Sequence, residues 1–448
     1  MKIPELLLPA GGLERMRVAY DYGADAVYAG LPRYSLRARN NEFSHLRELS
    51  KGIQEAHQRG KKFYVAANIL AHNAKLRTFL EDMAPILELQ PDALIMADPG
   101  LISKVKENWP DMPIHLSVQA NTTNYWGVDF WHSLGISRII LSRELSLEEI
   151  AEIRENCPDI ELEVFVHGAL CIAYSGRCLL SGYFNHRDPN QGTCTNACRW
   201  NYSIHPTSNH EKRPEGETST SHPPQDLVSS CDTQIRHPLA NQVYYLEETN
   251  RKGALLPIIE DEHGTYIMNS KDLRAVENIA KLVQIGVDSF KIEGRTKSEY
   301  YVARVAQVYR QAIDDALAHR PFNYSLLTEL EGLANRGYTT GFLDRHPPQD
   351  YQNYLTGHSV NRRSIYVGKV LAVGTDGWGT VEVKNKFAVG DQLEVIHPQG
   401  NEIITLTQIK YKQNLVEEAR GNGMEVSIPQ LKGKNRALLA RIIPNTVA

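Results

Sequence analysis

The sequence lacks the features that mark secreted and membrane-spanning proteins. Six cysteines in 448 residues are too few for a disulfide-stapled scaffold. No apolar run approaches the roughly 18 residues that a membrane span requires. The N-terminal apolar stretch is interrupted by Pro4, Glu5 and Pro9, whereas a secretory signal needs an unbroken apolar core of about 7–15 residues. We therefore expect a cytoplasmic protein with no membrane association and with reduced cysteines.

Several reaction signatures are also missing. The chain contains no HExxH, no GxSxG, no P-loop and no GxGxxG after a strand, which weakens the case for metallopeptidases, serine hydrolases, NTPases and dinucleotide-dependent enzymes. The net charge of −4 argues against a wholly basic nucleic-acid coat. The charge is uneven, however, because residues 361–448 contain 12 Lys/Arg and 8 Asp/Glu. This mild asymmetry hints at a nucleic-acid partner, although a solvated surface also explains it.

Short apolar runs alternate with helical segments through the first 300 or so residues, as in βα units. Eight such runs predict an α/β fold of the TIM-like (β/α)8 type, with an open doubly wound sheet as the alternative. The runs begin at Glu5, Asp25, Lys62, Asp92, Ile114, Ser137, Glu161 and Val287. From Ser364 the pattern changes to short alternating strands, which predict a small antiparallel β-barrel domain.

These patterns predict three parts of the chain. A TIM-like catalytic barrel covers 1–330 and carries a cysteine-bearing insertion over 168–270. A connector covers 331–360. The C-terminal β-barrel domain covers 361–448.

Four of the six cysteines fall close together, in the spacing C-x6-C-x15-C-x3-C. Thiolates are soft ligands that select zinc or iron–sulfur clusters. Structural zinc usually has tighter cysteine pairs at both ends, so the wide spacing favours an iron–sulfur cluster while leaving zinc open. The four are Cys171, Cys178, Cys194 and Cys198. Cys231 is either a bystander or a replacement ligand.

Polar residues gather where the predicted strands end. In a TIM-type barrel this end carries the active site. Three of these residues, Arg143, Lys291 and Arg295, are charges set directly against apolar strands, and they are the least easily explained as ordinary loop residues. The full set of polar residues considered at the strand ends is Asn68, Gln119, Asn121, Arg143, His167, Lys291, Glu293 and Arg295.

Four segments resemble motifs of the peptidase U32 family, and together the resemblance covers nearly the whole chain. They are EVFVHGALCIAYSGRCLLS from Glu163, MNSKDL from Met268, KIEGRTKSEYYVARV from Lys291 and NRGYTTGF from Asn335. The branch that this chain resembles implies hydroxylation of tRNA at C5 of uridine 34. It also implies prephenate as the hydroxyl source and an iron–sulfur cluster, of [4Fe-4S] type, on the cysteine quartet. A cluster in turn implies the iron–sulfur assembly machinery as a partner.

Roles for individual residues follow as hypotheses. Arg suits carboxylates, so Arg143 and Arg295 are expected to bind prephenate. A structural ion pair, for instance between Arg143 and Glu163, is the competing interpretation. His167 is expected to act as general acid/base or as a partner of the cluster, with Glu163 on the same strand face. The remaining catalytic candidates are Lys291 and Glu293, and the remaining substrate-binding candidates are Asn68, Gln119 and Asn121.

Recognition of the anticodon loop should use stacking and cationic contacts. Candidates are Tyr34, Arg37, Arg39 and the basic C-terminal domain. The alternatives that stay open are a U32-type peptidase, hydroxylation of rRNA or of a quinone precursor, and a zinc-stabilised RNA-binding module without catalysis.

Overall fold

The computed structural model describes most of the two predicted folded regions. Its described residues are 2–36, 42–43, 45–170, 271–294, 296–335, 337–344, 364–421 and 423–443, together with five short strands between 202 and 265. The predicted insertion therefore falls largely outside the described residues. Among the described residues, no helix combines the length and the apolar character needed to cross a bilayer.

Eight parallel strands close into a barrel, which confirms the predicted TIM-like fold. Each strand pairs with the next along the chain, and the last strand closes the ring by pairing with both the first and the seventh. The strands are β1 (Glu5–Pro9), β2 (Ala26–Gly30), β3 (Lys62–Ala67), β4 (Ala93–Met96), β5 (Ile114–Leu116), β6 (Arg138–Ile140), β7 (Glu161–Ala169) and β14 (Ser289–Ile292). Their near-continuous burial fits strands that are covered on both faces.

Helices follow the strands and pack around the barrel. Several begin at side-chain caps that the sequence supplies: Ser146 and Glu149 form a capping box, and Asp98 and Ser298 each accept a backbone N–H. The helices are α1 (Leu13–Asp21), α2 (Leu46–Gln58), α3 (Asn73–Leu76), α4 (Phe79–Leu87), α5 (Pro99–Asn108), α6 (Tyr125–Ser133), α7 (Leu147–Asn156), α8 (Ile279–Ile285), α9 (Glu299–Leu317) and α10 (Ser325–Glu331). Short 3-10 turns cover Val118–Ala120 and Val276–Asn278.

The end of β7 is irregular. The pairing of β7 with β14 runs Lys291 to Phe165 and then Ile292 to His167, so one extra residue of β7 is inserted there. Beyond this bulge, β13 (Asp272–Arg274) pairs antiparallel with β7, and β15 (Tyr338–Thr339) pairs with β13. After the bulge, the side chains of β7 lie on the opposite side of the strand from the one that regular alternation would give. This determines the side on which the His167 ring lies.

The C-terminal strands form an antiparallel sheet, as predicted. Its eight strands run in the order β20-β19-β25-β16-β17-β24-β21-β22, and a separate two-stranded sheet pairs β18 with β23. Among the described strands the larger sheet is open, with β20 and β22 at its edges. The bounds are β16 (Ser364–Val373), β17 (Gly379–Val383), β18 (Phe387–Ala388), β19 (Gln392–Ile396), β20 (Glu402–Thr405), β21 (Ile409–Tyr411), β22 (Asn414–Val416), β23 (Glu418–Ala419), β24 (Glu425–Ile428) and β25 (Leu438–Ile442).

The sheet and the barrel are joined by specific contacts. The Tyr22 hydroxyl donates to the Ile396 carbonyl at 2.8 Å. Lys369 lies between Glu14 and Glu299, at 3.0 and 2.8 Å. Three buried residues of the sheet, Ile396, Leu438 and Ala440, belong to the hydrophobic core of the barrel. The other buried residues of the sheet form a second core of their own.

The segment between β7 and β13 contributes five further described strands. An antiparallel sheet joins β10, β9 and β8, and a hairpin joins β11 and β12. The bounds are β8 (Tyr202–Pro206), β9 (Tyr244–Glu248), β10 (Leu255–Ile258), β11 (Glu260–Asp261) and β12 (Gly264–Thr265).

Candidate active site

Ionic groups fill the lower part of the barrel interior, near the strand starts. Glu163 is fully buried and accepts from Lys291 Nζ at 2.7 Å and from Arg138 at 3.1 Å. Arg138, at the first position of β6, also reaches Glu5 at 2.6 Å and Glu161 at 2.7 Å. A TIM barrel normally fills this space with branched apolar side chains. Here the buried charges balance one another, as buried charges must.

One prediction about this region is corrected by the geometry. The structural ion pair proposed for Glu163 exists, but its partners are Arg138 and Lys291, and Arg143 is not among them. Arg138, which sequence reasoning overlooked, is the centre of the network. Burial lowers the pKa of Lys291 below its usual value, with the Glu163 carboxylate opposing the shift.

His115 on β5 is a second residue that sequence reasoning missed. It is buried, its ring packs edge-on against Tyr64 at 4.7 Å, and its Nδ1 has no hydrogen-bond partner in the described ranges. Burial lowers the pKa of His115 well below the usual range, and Arg138 and Lys291 add to the effect. His115 is therefore a neutral imidazole facing the ionic layer. Its position in IHLSVQA, at an alternate residue of a predicted strand, was the available signal.

The C-terminal ends of β3 and β5 are held together by polar side chains. Asn68 follows β3 and donates to Ser117 Oγ at 3.2 Å, while its side-chain oxygen accepts from the Leu36 N–H at 3.4 Å. Asn121 adopts a left-handed backbone conformation with φ of 51° and donates to the Gln119 carbonyl at 2.9 Å. Both asparagines thus shape the mouth of the barrel through contacts within the protein.

Gln119 differs from these neighbours. Its side chain is 2% exposed, and neither its amide oxygen nor its amide nitrogen has a hydrogen-bond partner among the residues that the structure describes. Leaving a buried polar group unpaired costs about 1–3 kcal/mol. A buried amide without such partners at the catalytic end of a barrel is typical of a side chain that hydrogen-bonds to a bound ligand.

Arg143 lies at the same end, after β6. Its guanidinium donates to the Ala169 carbonyl at 3.1 Å and stacks on the Phe165 ring at 3.9 Å. It makes no ion pair with a carboxylate among the residues that the structure describes. Stacking fixes the planar cation without neutralising it, so its positive charge stays available at the mouth.

Glu293 follows β14 and is buried next to Tyr28, whose hydroxyl lies 3.2 Å from the carboxylate. Its backbone N–H donates to the His167 carbonyl at 2.9 Å. Glu293 therefore lies where β14 and β7 part, beside the bulge. Arg295, the other predicted carboxylate ligand, lies outside the described residues.

His167 does not share surroundings with Glu163, contrary to the prediction. The bulge sends its ring towards Tyr301, Tyr309 and Tyr338, with ring centroids 5.4–5.8 Å away. The Tyr309 hydroxyl donates to the Val166 carbonyl at 2.7 Å and lies 3.3 Å from His167 Nδ1, so Nδ1 carries the proton of that contact. Burial lowers the pKa of His167 to about 3, which makes it a neutral group in an aromatic cage.

The predicted metal ligands Cys171, Cys178, Cys194 and Cys198, together with Cys231, lie outside the described residues. Within the described residues, no group of three or more His, Cys, Asp or Glu is arranged to hold a metal ion. β7 ends at Ala169, two residues before Cys171. The last described residues before the cysteine segment are Ala169 and Leu170, and the Ala169 carbonyl accepts from Arg143.

One predicted RNA contact is wrong. Tyr34 is buried, and its hydroxyl donates to Asp82, so the ring has no face open for a base. Arg37 and Arg39 lie outside the described residues.

Comparison with known proteins gives a consistent result. The family model described as peptidase family U32 matches residues 11–353, and the model of the U32 C-terminal domain matches residues 362–441. The chain is 56% identical over 441 residues to tRNA hydroxylation protein P of Escherichia coli, covering 98% of this chain and 96% of that protein. It is 53% identical to the Haemophilus influenzae protein of the same name, covering 99% and 97%. The 23S rRNA 5-hydroxycytidine C2501 synthase of Escherichia coli is 28% identical, covering 94% of this chain and 56% of that protein.

Proposed function

The chain belongs to peptidase family U32, and from that premise we propose that it is an enzyme that hydroxylates tRNA. Full-length similarity to proteins named for tRNA hydroxylation supports this reaction over peptide hydrolysis. The more distant rRNA hydroxycytidine synthase is named for hydroxylation of a pyrimidine in another RNA. Hydroxylation of a base in RNA is therefore the chemistry we assign to the barrel.

We further propose that the target is C5 of uridine 34 in the anticodon loop and that prephenate is the hydroxyl source. Prephenate carries two carboxylates, which require fixed cations and hydrogen-bond donors. The mouth offers Arg143, whose guanidinium has no carboxylate partner among the described residues, and the buried amide of Gln119. The unpaired Gln119 amide is the observation that carries this assignment. Arg295 is proposed as the second cation.

An iron–sulfur cluster, of [4Fe-4S] type, is proposed at Cys171, Cys178, Cys194 and Cys198, with zinc as the alternative. The thiolate donor set and its wide spacing suit iron. The first cysteine follows in sequence two residues after the end of β7, whose Ala169 carbonyl accepts from Arg143. A bound cluster would supply either electron transfer or, with one iron free of cysteine, Lewis acidity. The protein would then depend on the iron–sulfur assembly machinery, and a cytoplasmic location stays a prediction.

The chain's own residues would bind and position the reactants. Arg143 and Gln119 would bind prephenate, while Asn68 and Asn121 maintain the shape of the mouth. Glu163 holds Lys291 below the mouth, and Glu293 lies beside the bulge. His167, neutral and caged by tyrosines, would position the start of the cysteine segment.

The decisive test of the reaction is mass spectrometry of tRNA nucleosides from a strain that lacks this chain. We expect 5-hydroxyuridine derivatives to disappear and a plasmid copy to restore them. Unchanged nucleosides in a strain with no second related gene would refute the proposed function.

The prephenate site is tested by Gln119→Leu. Leucine removes two unpaired polar atoms from a buried position, so we expect the free energy of unfolding to rise by about 1–3 kcal/mol, while the KM for prephenate increases. Gln54→Leu, at an exposed position on α2, is the matched control and should change neither quantity appreciably. A stabilised Gln119→Leu enzyme with normal use of prephenate would exclude Gln119 from the site.

The cluster is tested by single Cys→Ala variants of the quartet and of Cys231. Iron per chain and the visible spectrum are measured after anaerobic purification, before any assay. We expect each quartet variant to lose iron and Cys231→Ala to retain it. Stoichiometric zinc in place of iron in the unaltered protein would favour the alternative metal.

A further inference from the structure

We propose that the C-terminal domain carries a docking surface for tRNA, formed by Trp378, Lys410, Lys412 and Lys432. We call these four residues the lysine surface. The proposal rests on the proposed function, because it assigns a second contact to the same substrate. It concerns a region distant in sequence from the barrel mouth.

The first argument is the pairing of cations in this domain. Among its described residues, most Lys and Arg side chains have a carboxylate within 4.0 Å. Those with such a partner are Lys369, Lys384, Lys386, Arg420, Lys434 and Arg436. Within the same described range, Lys410, Lys412, Lys432 and Arg441 have none. The net positive charge of the domain is therefore concentrated at a few places.

The second argument is the position of three of these cations relative to Trp378: Lys410 contacts its ring, Lys432 lies beside the preceding Gly377, and Lys412 contacts Tyr411, the neighbour of Lys410. Lys410 Nζ lies 3.7 Å from the centre of the Trp378 ring. Lys432 follows Leu431, whose N–H donates to Gly377 O at 2.9 Å, and a Cβ added to Gly377 would meet Lys432 Cβ at 3.8 Å. Lys412 is exposed at the turn that joins β21 to β22, two residues beyond Lys410.

The sheet register explains why these residues meet. Lys410 pairs with Ser427, and Ser427 pairs with Thr380 on β17; Trp378 directly precedes that strand, two residues before Thr380. Residues two apart on a strand share a face. The sheet thus brings Lys410 and Trp378 to one side although they are 32 positions apart in the sequence.

The chemistry of the surface favours a polyanion. A ring held against an ammonium group orients the cation without cancelling its charge, whereas a carboxylate partner would cancel it. Lysines with free charge neutralise phosphates, and aromatic rings interleaved with cations are typical of RNA-binding surfaces. Two carboxylates, Asp376 and Glu425, lie two residues from Trp378 and Ser427, so the positive region is narrow. A narrow strip suits one backbone segment of RNA.

The test compares tRNA binding by the full chain and by K410A/K412A/K432A across a range of salt concentrations. Each phosphate contact contributes about 0.7–0.9 to the slope of log affinity against log salt. Loss of three contacts should make that slope shallower by about two to three. Trp378→Leu should also weaken tRNA binding, because Lys410 loses the ring that orients it.

The matched control is K384A/K386A/R420A, which removes three cations of the same domain that have carboxylate partners. It should keep the wild-type salt slope. An unaltered chain that fails to bind any tRNA would refute the proposed function itself. A chain that binds tRNA, with the same slope in both triple variants, would refute the lysine surface alone.

A second arm tests vesicles of phosphatidylserine and phosphatidylcholine. Loss of vesicle binding in K410A/K412A/K432A, with tRNA binding unchanged, would assign the surface to anionic lipid and overturn the proposal.

Discussion

Replacing His167 with phenylalanine should remove a specific component of acid sensitivity. The imidazole is buried among Tyr301, Tyr309 and Tyr338, and burial lowers its pKa from 6.5 to about 3. In the unfolded chain the same histidine takes up a proton at its ordinary pKa. Below pH 6.5 the unfolded state therefore binds more protons than the folded state, and the free energy of unfolding falls as the pH falls.

The magnitude follows from the two pKa values. Between pH 7 and pH 5 this histidine alone should lower the free energy of unfolding by about 2 kcal/mol. The full loss, complete only near pH 3, is about 5 kcal/mol. The range from pH 7 to pH 5 is the better one to measure. There the change in the free energy of unfolding depends on the pKa of His167 in the unfolded chain and hardly on its pKa in the folded protein. Phenylalanine keeps a ring in the cage and removes the titrating group.

The assay is denaturant unfolding of wild type and His167→Phe at several pH values. We expect the stability difference between the two proteins to shift by about 2 kcal/mol in favour of the variant from pH 7 to pH 5. His132→Phe, at an exposed position on α6, controls for the loss of a histidine as such. Parallel pH profiles for wild type and His167→Phe would refute the reasoning and would restore His167 as a proton donor near neutral pH.

Two further predictions concern the barrel. Arg138→Met should lower the free energy of unfolding by about 3–5 kcal/mol, because it leaves buried carboxylates without their cation, whereas Arg33→Met, at an exposed ion pair, should cost at most about 1 kcal/mol in the same denaturant titration. Gly168→Ala should destabilise the protein more than Gly60→Ala. Both glycines have positive φ, but of the two only Gly168 would bring a Cβ against a backbone oxygen, that of Glu293 at 2.4 Å. Equal thermal midpoints for the two alanine variants would contradict this.

The fold was predictable because its signals are local and repeated. Each barrel strand is a short apolar run followed by a helix, and β1 and β14 close the ring although they are far apart in sequence. The change near Ser364 to alternating short strands was equally legible. The order of the strands in the C-terminal sheet, including the pairing of its first and last strands β16 and β25, depends on tertiary register, which no local pattern encodes. The open edges at β20 and β22, in place of a closed barrel, could therefore not be foreseen.

The site was predictable only in part, and the bulge in β7 shows why. A spacing of four residues places Glu163 and His167 on one face of a regular strand. A single extra residue of β7 between Phe165 and His167, which pair with consecutive residues of β14, cancels that rule. Arg138 was overlooked for a related reason: at the start of an apolar run it reads as a loop residue, yet the closed barrel places it inside.

These placements divide the barrel interior into two layers with different tasks. In the lower layer Glu163, Lys291 and Arg138 satisfy one another within 3.1 Å, so a reaction that used Lys291 or Glu163 would have to break a buried ion pair and leave a charge uncompensated. In the upper layer the side chain of Gln119 has no hydrogen-bond partner within the described part of the chain, and Arg143 contacts the Phe165 ring and the Ala169 carbonyl. A ligand that binds there can pair with these groups and leaves the ion pairs of the lower layer intact. The mouth is therefore where substrate should bind, and the lower layer fixes the strands that carry it.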